Sequence, residues 1–155
     1  MPIFITDMLI IFDDNMYYFA YGSNLKRDRL RDRVGAWSSE ENCFLEGYRL
    51  TFDSRGKADI IEEVSSKVYG VIYGLSEQQM RALDTYEGVS NNVYRRSTVS
   101  VTVVAGRVDA VVYVKVNSST FHVPNEQYLN FIIEGLAEHC FGQDIIDGVK
   151  RIANG

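Results

Sequence analysis

Chemistry needs particular side chains at particular spacings, and few stretches of this chain offer them. The richest is Tyr18-Phe19-Ala20-Tyr21-Gly22-Ser23-Asn24-Leu25. The apolar, aromatic run Tyr17 to Ala20 ends at Gly22 and reads as a strand, and Ser23 is placed to cap a helix over about Asn24 to Val34. A turn that opens a helix aims free backbone N–H groups in one direction and adds the positive end of the helix dipole, which suits a carboxylate or a developing oxyanion. Gly22 allows close approach to the backbone. The same residues also read as a plain serine-capped turn that binds nothing.

The second candidate is Glu87, in Leu83-Asp84-Thr85-Tyr86-Glu87-Gly88-Val89. A carboxylate at a helix C-terminus faces the negative end of the dipole, a cost of about 0.3–1 kcal/mol that tends to raise its pKa. An acid moved toward neutrality suits proton transfer. One glutamate among many is also simply a solvated side chain, and the residues alone do not separate the two readings.

Other chemistries lack their residues. His139 and Cys140 are adjacent and His122 is distant, so no zinc-ligand spacing exists. The glycines form neither a phosphate-binding loop nor a dinucleotide fingerprint, and no Gly-x-Ser-x-Gly elbow is present. Ser23 as a nucleophile would need His122 or His139 beside it. Lys26, Arg27, Arg29, Arg31 and Arg33 alternate with Asp28 and Asp32, and this mixture favours a solvated helix face over an anion patch.

The elements that must position these groups follow from pattern. Cys43–Phe52, Ala58–Val64 and the near-continuous apolar run Val68–Tyr73 read as strands, with a turn at Ser54-Arg55-Gly56. Ser76 and Gln79 have capping-box spacing, Leu75 and Met80 that of a hydrophobic staple, and this helix ends near Glu87-Gly88. Val93–Val104 and Val108–Val116 form a hairpin through Ala105-Gly106-Arg107, with Ala110, Val112, Val114 and Val116 on one face. After Pro124, Leu129, Ile132, Ile133 and Leu136 make a helical core stripe, and a last helix covers about Gln143–Ala153. Strands that do not alternate with helices predict an α+β domain built on a small, largely antiparallel sheet or barrel.

The chain has 155 residues, enough for one cored domain, which we place at 16–155, with 1–15 as an N-terminal extension. The apolar run Met8–Phe12 lacks the flanks of a signal peptide and the length of a membrane span. A net charge of −5 disfavours nucleic acid or an anionic membrane as partner. Cys43 and Cys140 read as reduced thiols, which predicts a cytoplasmic protein.

Tyr18 to Leu25 resembles the opening signature of the γ-glutamylcyclotransferase family. Gly47-Tyr48-Arg49-Leu50-Thr51-Phe52 and Val68-Tyr69-Gly70-Val71-Ile72-Tyr73 resemble its strands. Leu83-Asp84 and Glu87-Gly88-Val89, with Tyr94 beyond, resemble its catalytic segment, and Pro124, Tyr128, Ile132 and Gly135 its late helix. Cys140-Phe141-Gly142 departs from the Gly-Leu-Pro common there. The resemblance implies a small mixed, mainly antiparallel β-barrel flanked by helices, and that Glu87 is the catalytic acid/base. It implies that Tyr18, Phe19, Ala20, Tyr21, Gly22, Ser23, Asn24 and Leu25 line the substrate cavity, with Tyr128 and, more weakly, Tyr94 adding hydroxyls. The substrate would be a small γ-glutamyl amide whose own α-amine closes a lactam, 5-oxoproline, so no cofactor, metal or enzymic nucleophile is required. A γ-glutamylamine cyclotransferase, a relative that removes a γ-glutamyl protecting group, and a non-catalytic binding module on the same scaffold are the alternatives. A homodimer through an exposed apolar face is compatible with the sequence.

Overall fold

The computed structural model describes residues 15–117 and 119–155, so the Met8–Phe12 run lies outside the described residues. In chain order the elements are β1 (Asn15–Ala20), a 3₁₀ turn (Ser23–Leu25), α1 (Arg27–Val34), β2 (Glu40–Phe52), β3 (Ala58–Ser76) and α2 (Glu77–Tyr86). A second 3₁₀ turn (Val89–Asn91), β4 (Tyr94–Val103), β5 (Gly106–Lys115), α3 (Glu126–Glu138) and α4 (Gln143–Asn154) complete it.

The strands close into a five-stranded barrel in the order β1-β3-β2-β4-β5. Long antiparallel ladders join β2 to β3, β1 to β3 and β4 to β5. Two seams complete the ring: antiparallel β2–β4 at Phe44↔Thr102 and parallel β1–β5 at Tyr18↔Val111. The expected α+β, mainly antiparallel architecture is therefore the observed one.

Three local expectations need correction. Ala58–Val64 and Val68–Tyr73 are one strand, β3, because its ladder with β2 resumes at Glu46↔Lys67 after an irregularity that leaves residues 63–66 without β2 partners, opposite Gly47 at φ +83°. The β4–β5 turn is Val104-Ala105, since Gly106 already pairs with Val103. Ser23 does not cap a helix running to Val34: Lys26 is extended (ψ 116°) and splits the segment into a 3₁₀ turn and α1.

The start of α2 matches its sequence signature. Gln79 N–H donates to Ser76 Oγ at 3.1 Å, and Ser76 N–H donates to Gln79 Oε1 at 3.0 Å. The Gln79 side-chain amide also donates to the Val34 and Ala36 carbonyls, tying α2 to the end of α1. Asn125 caps α3 by accepting from Tyr128 N–H at 2.8 Å. Ile132 and Leu136 are fully buried, whereas Leu129 and Ile133 are half-buried; the inward face is rotated toward Tyr128, Gly135 and His139.

Two glycines allow the layers to meet. A Cβ on Gly70 would stand 2.3 Å from the Ala20 carbonyl oxygen, so β3 can carry no side chain there. A Cβ on Gly135 would stand 2.6 Å from Leu25 Cβ, Leu25 C and Lys26 N, so α3 packs its bare backbone against the 3₁₀ turn. Gly135→Ala is expected to destabilise the protein by about 1–3 kcal/mol through overpacking, against a helix-propensity gain of up to about 1 kcal/mol. Urea unfolding measures it, and an unchanged or raised midpoint would show that the turn is not clamped at this point.

Candidate active site

One end of the barrel holds a cavity of about 140 Å³, well below the roughly 300 Å³ where drug-sized ligand pockets begin. Its occupant is therefore small. Tyr18, Phe19, Tyr21, Gly22, Ser23, Asn24, Glu87, Tyr94 and Tyr128 line it. Ala20 and Leu25 do not. Ala20 is buried in the β1–β3 ladder opposite Val71, and Leu25 packs behind the turn against Gly135.

The turn is built to hold its shape from behind. Leu25 N–H donates to the Gly22 carbonyl at 3.0 Å and Lys26 N–H to the Ser23 carbonyl at 3.2 Å. These amides are spent inside the turn; those of Ser23 and Asn24 have no backbone acceptor among the described residues. On the far side His139 Nε2 lies 3.1 Å from the Leu25 carbonyl and 2.8 Å from the Tyr73 hydroxyl. Gly22 sits where a Cβ would come 3.1 Å from Ala58 Cβ and 3.6 Å from the Tyr128 hydroxyl, which keeps the turn close to its neighbours. Because one 3₁₀ turn stands here instead of a long helix, its positive character cannot come from a macrodipole.

Cations supply it instead. Arg29 and Arg33, one helical turn apart on α1, both line the cavity. Arg29 Nε donates to Ser23 Oγ at 2.9 Å, and Arg33 donates to Asn24 Oδ1 at 3.3 Å. The expectation of a solvated helix face is overturned for these two residues, although Arg31 remains exposed. Arg55 and Lys57 reach the rim from the turn before β3. That turn is organised by buried Asp53, whose carboxylate accepts from the N–H groups of Arg55 (2.8 Å) and Lys57 (3.0 Å) and from Lys115 Nζ (3.0 Å). Ser23 Oγ is engaged by Arg29. His139 is engaged by Tyr73 and Leu25, and His122 by the Val123 carbonyl, so no Ser–His pair is assembled among the described residues.

The tyrosines divide into two kinds. Tyr94 donates its hydroxyl proton to the Ala58 carbonyl (2.7 Å) and Tyr21 donates to that of Tyr113 (2.8 Å). These protons are committed. The Tyr128 hydroxyl instead accepts from Ala58 N–H (3.0 Å), and the Tyr18 hydroxyl accepts from the Asn24 amide (2.9 Å). A phenol that accepts keeps its own proton to give. Burial raises the pKa of both hydroxyls, so both remain protonated donors.

Glu87 is the C-cap residue of α2, with its N–H on the Leu83 carbonyl at 2.8 Å and Gly88 turning left-handed (φ 66°) just beyond. Its side chain is half-buried and accepts no hydrogen bond from any described residue. Burial raises its pKa above the ordinary 4.5, while Arg33, Arg29 and Arg55 act in the opposite direction. The direction is the one read from the sequence, but the chief cause is desolvation. Helix α2 is fastened to the barrel by Arg96 of β4, which grips Asp84 through two nitrogens (2.8 and 2.7 Å) and Glu77 through two more contacts (both 3.0 Å). The Tyr113 hydroxyl adds a 2.7 Å bond to Asp84.

Sequence reasoning missed Arg29, Arg33, Arg55, Lys57, Tyr86 and Tyr113 as lining residues. The four-residue spacing of Arg29 and Arg33, close after the Ser-Asn turn, was the available signal. Among the described residues no three His, Cys, Asp or Glu side chains converge as a metal site, and no helix is long and apolar enough to cross a membrane. Cys43 is buried and Cys140 exposed, both as free thiols, and burial pushes the Cys43 pKa up to about 12.

A cavity of this make-up on such a barrel has close parallels. The family described as "Gamma-glutamyl cyclotransferase, AIG2-like" matches residues 18–131, and the chain belongs to it. A human gamma-glutamylcyclotransferase is 28% identical over 151 residues, covering 90% of this chain and 80% of that one. The mouse protein of the same name is 27% identical over 150 residues, covering 90% and 79%. A solved gamma-glutamyl cyclotransferase structure superposes with a TM-score of 0.81 over 88% of this chain and 86% of the other, at 24% identity, a likeness of fold.

Asp53 gives this site a pH dependence. Burial acts to raise its pKa, but the Lys57 amide, Lys115 and Arg55 outweigh it and hold the carboxyl below its usual 3.8. Its folded-state pKa is thus depressed, so its stabilisation is present above the unfolded pKa and lost as pH falls through the folded one. Asp53→Asn should cost about 1.5–3 kcal/mol near neutral pH, with the gap from wild type narrowing below about pH 4. Urea midpoints at both pH values measure this, and a gap that widens in acid would contradict it.

Proposed function

We propose that the protein converts a γ-glutamyl amide into 5-oxoproline and a free amine, with Glu87 as the proton carrier. The observation that carries this reading is the Glu87 carboxylate itself. It is half-buried, accepts no hydrogen bond among the described residues, and shares one small cavity with the Ser23–Asn24 turn and the Tyr18 and Tyr128 hydroxyls. Family membership and the names of the curated relatives support it.

The substrate brings its own nucleophile. Its α-nitrogen attacks the γ-carbonyl carbon, a C–N bond forms, and the carbonyl oxygen becomes an oxyanion; the C–N bond to the amine then breaks. Over the cycle two protons leave the α-ammonium and two are gained by the departing nitrogen, and one carboxylate passes them in turn. Holding the γ-glutamyl chain folded supplies the effective concentration that an intramolecular attack exploits. The Ser23 and Asn24 amides and the two uncommitted phenols serve the α-carboxylate and the oxyanion. Burial favours the protonated form of Glu87 and Arg33 and Arg29 favour the ionised one, so both forms that the two proton transfers need are supported by its surroundings.

Glu87→Gln is nearly isosteric and should abolish lactam formation while leaving the unfolding midpoint within about 0.5 kcal/mol of wild type. Chromatographic detection of 5-oxoproline from γ-glutamyl amino acids tests it, and near wild-type turnover would remove Glu87 from the mechanism. In the wild type kcat/KM should fall on an acid limb centred above 4.5, the direction of the Glu87 shift. A limb centred at or below that value would assign the titration to another group.

A further inference from the structure

The cavity carries a charge that cyclisation of the γ-glutamyl head does not use. Arg29, Arg33, Arg55 and Lys57 line it, and Glu87 is the acidic residue among its lining side chains. This stands out in a chain of net charge −5. Arg55 is paired with Asp53 at 3.1 Å. Arg29, Arg33 and Lys57 are half-buried and have no carboxylate within ion-pair distance among the described residues. Elsewhere Lys26, Arg27, Arg96 and Lys115 all do.

Neutral groups position these three cations: Ser23 and Asn24 accept from the two arginines, and an aromatic ring lies beside each cation. The Arg29 guanidinium lies 4.4 Å from the centre of the Phe131 ring, Arg33 4.7 Å from that of Tyr86, and Lys57 Nζ 4.2 Å from that of Tyr128. A ring attracts a cation through its quadrupole but brings no net charge. The cations are therefore positioned without being neutralised. They also repel: after burial, Arg33 is the chief influence lowering the Arg29 pKa, and Arg29 and Arg55 act likewise on Lys57.

The γ-glutamyl head, with one α-carboxylate and one α-ammonium, has no net charge to offer. Ionised Glu87 offsets one cation, and two remain for the other half of the substrate. We propose that the amine released by this protein carries two negative charges, as in an acidic amino acid or an amino-alkyl phosphate, and that Lys57 with Arg29 and Arg33 selects it. The inference rests on the cyclisation reading and names its substrate class.

The test compares γ-glutamyl-glutamate with γ-glutamyl-glutamine, which differ only in a carboxylate for an amide. A third arm, γ-glutamyl-phosphoethanolamine, separates a phosphate from a dicarboxylate source. At least one dianionic amide should exceed γ-glutamyl-glutamine in kcat/KM by roughly tenfold or more, with the advantage shrinking at high salt. In Lys57→Met, which keeps an apolar stem over Tyr128, the ratio should fall toward one. Equal or poorer use of both dianionic amides by the wild type overturns the inference, and so does a ratio that Lys57→Met leaves intact. If no amide yields 5-oxoproline, the cyclisation reading fails. The charge preference is then read by calorimetric titration of the same compounds, where equal affinities overturn it and roughly tenfold tighter binding of a dianionic one upholds it.

Discussion

The grip of Arg96 on Asp84 and Glu77 fixes the geometry on which the cavity depends. Glu87 has no side-chain anchor of its own. Its position is inherited from α2, and α2 is held to β4 by one guanidinium with four contacts to two carboxylates, a planar fork that a lysine would not reproduce. Tyr113 completes the joint from β5. The acid is left free to bind because the helix that carries it is not.

The opposite wall follows the same logic. The Ser23–Asn24 amides face the cavity because Leu25 is locked from behind by Gly135, His139 and Tyr73. The Tyr18 and Tyr128 hydroxyls only accept, from an amide and a backbone donor, and burial keeps their own protons in place. In both walls the cavity-lining groups have few commitments, and the residues behind them have many. Glu87 sits under opposed influences: burial, the stronger, raises its pKa and three arginines act against it.

The sequence made the skeleton of this arrangement readable where local chemistry decides it. The Ser76–Gln79 capping box, the β4–β5 hairpin and the helix after Pro124 are set by neighbours in the chain, and the structure contains all three, although Val116 lies exposed beyond β5 and Leu129 and Ile133 are half-buried. The long β3 strand was not readable as one piece, because its polar middle, residues 63–66, has no partner on β2 and the ladder resumes only at Lys67. Arg29 and Arg33 were misjudged for a related reason. Mixed charge on a helix signals solvent only when nothing covers that face, and the covering comes from α3, α2 and the turn before β3. Glu87 owed its place to family resemblance; its burial arises from residues far away in the chain.

The two seams of the barrel are not its only joins. One half, β1-β3-β2, carries the Ser23–Asn24 turn at the end of β1; the other, β4-β5, pairs with it at Phe44↔Thr102 and Tyr18↔Val111. Side chains reinforce the ring, with the Tyr94 hydroxyl on the Ala58 carbonyl and the Tyr21 hydroxyl on that of Tyr113. Helix α2 is the covalent link between the halves, leaving β3 and leading to β4, and Glu87 stands at its end. Tyr21 and Tyr94 are cavity-lining side chains as well as cross-links between the halves, so truncating either one loosens the barrel at the same place where it opens the cavity wall.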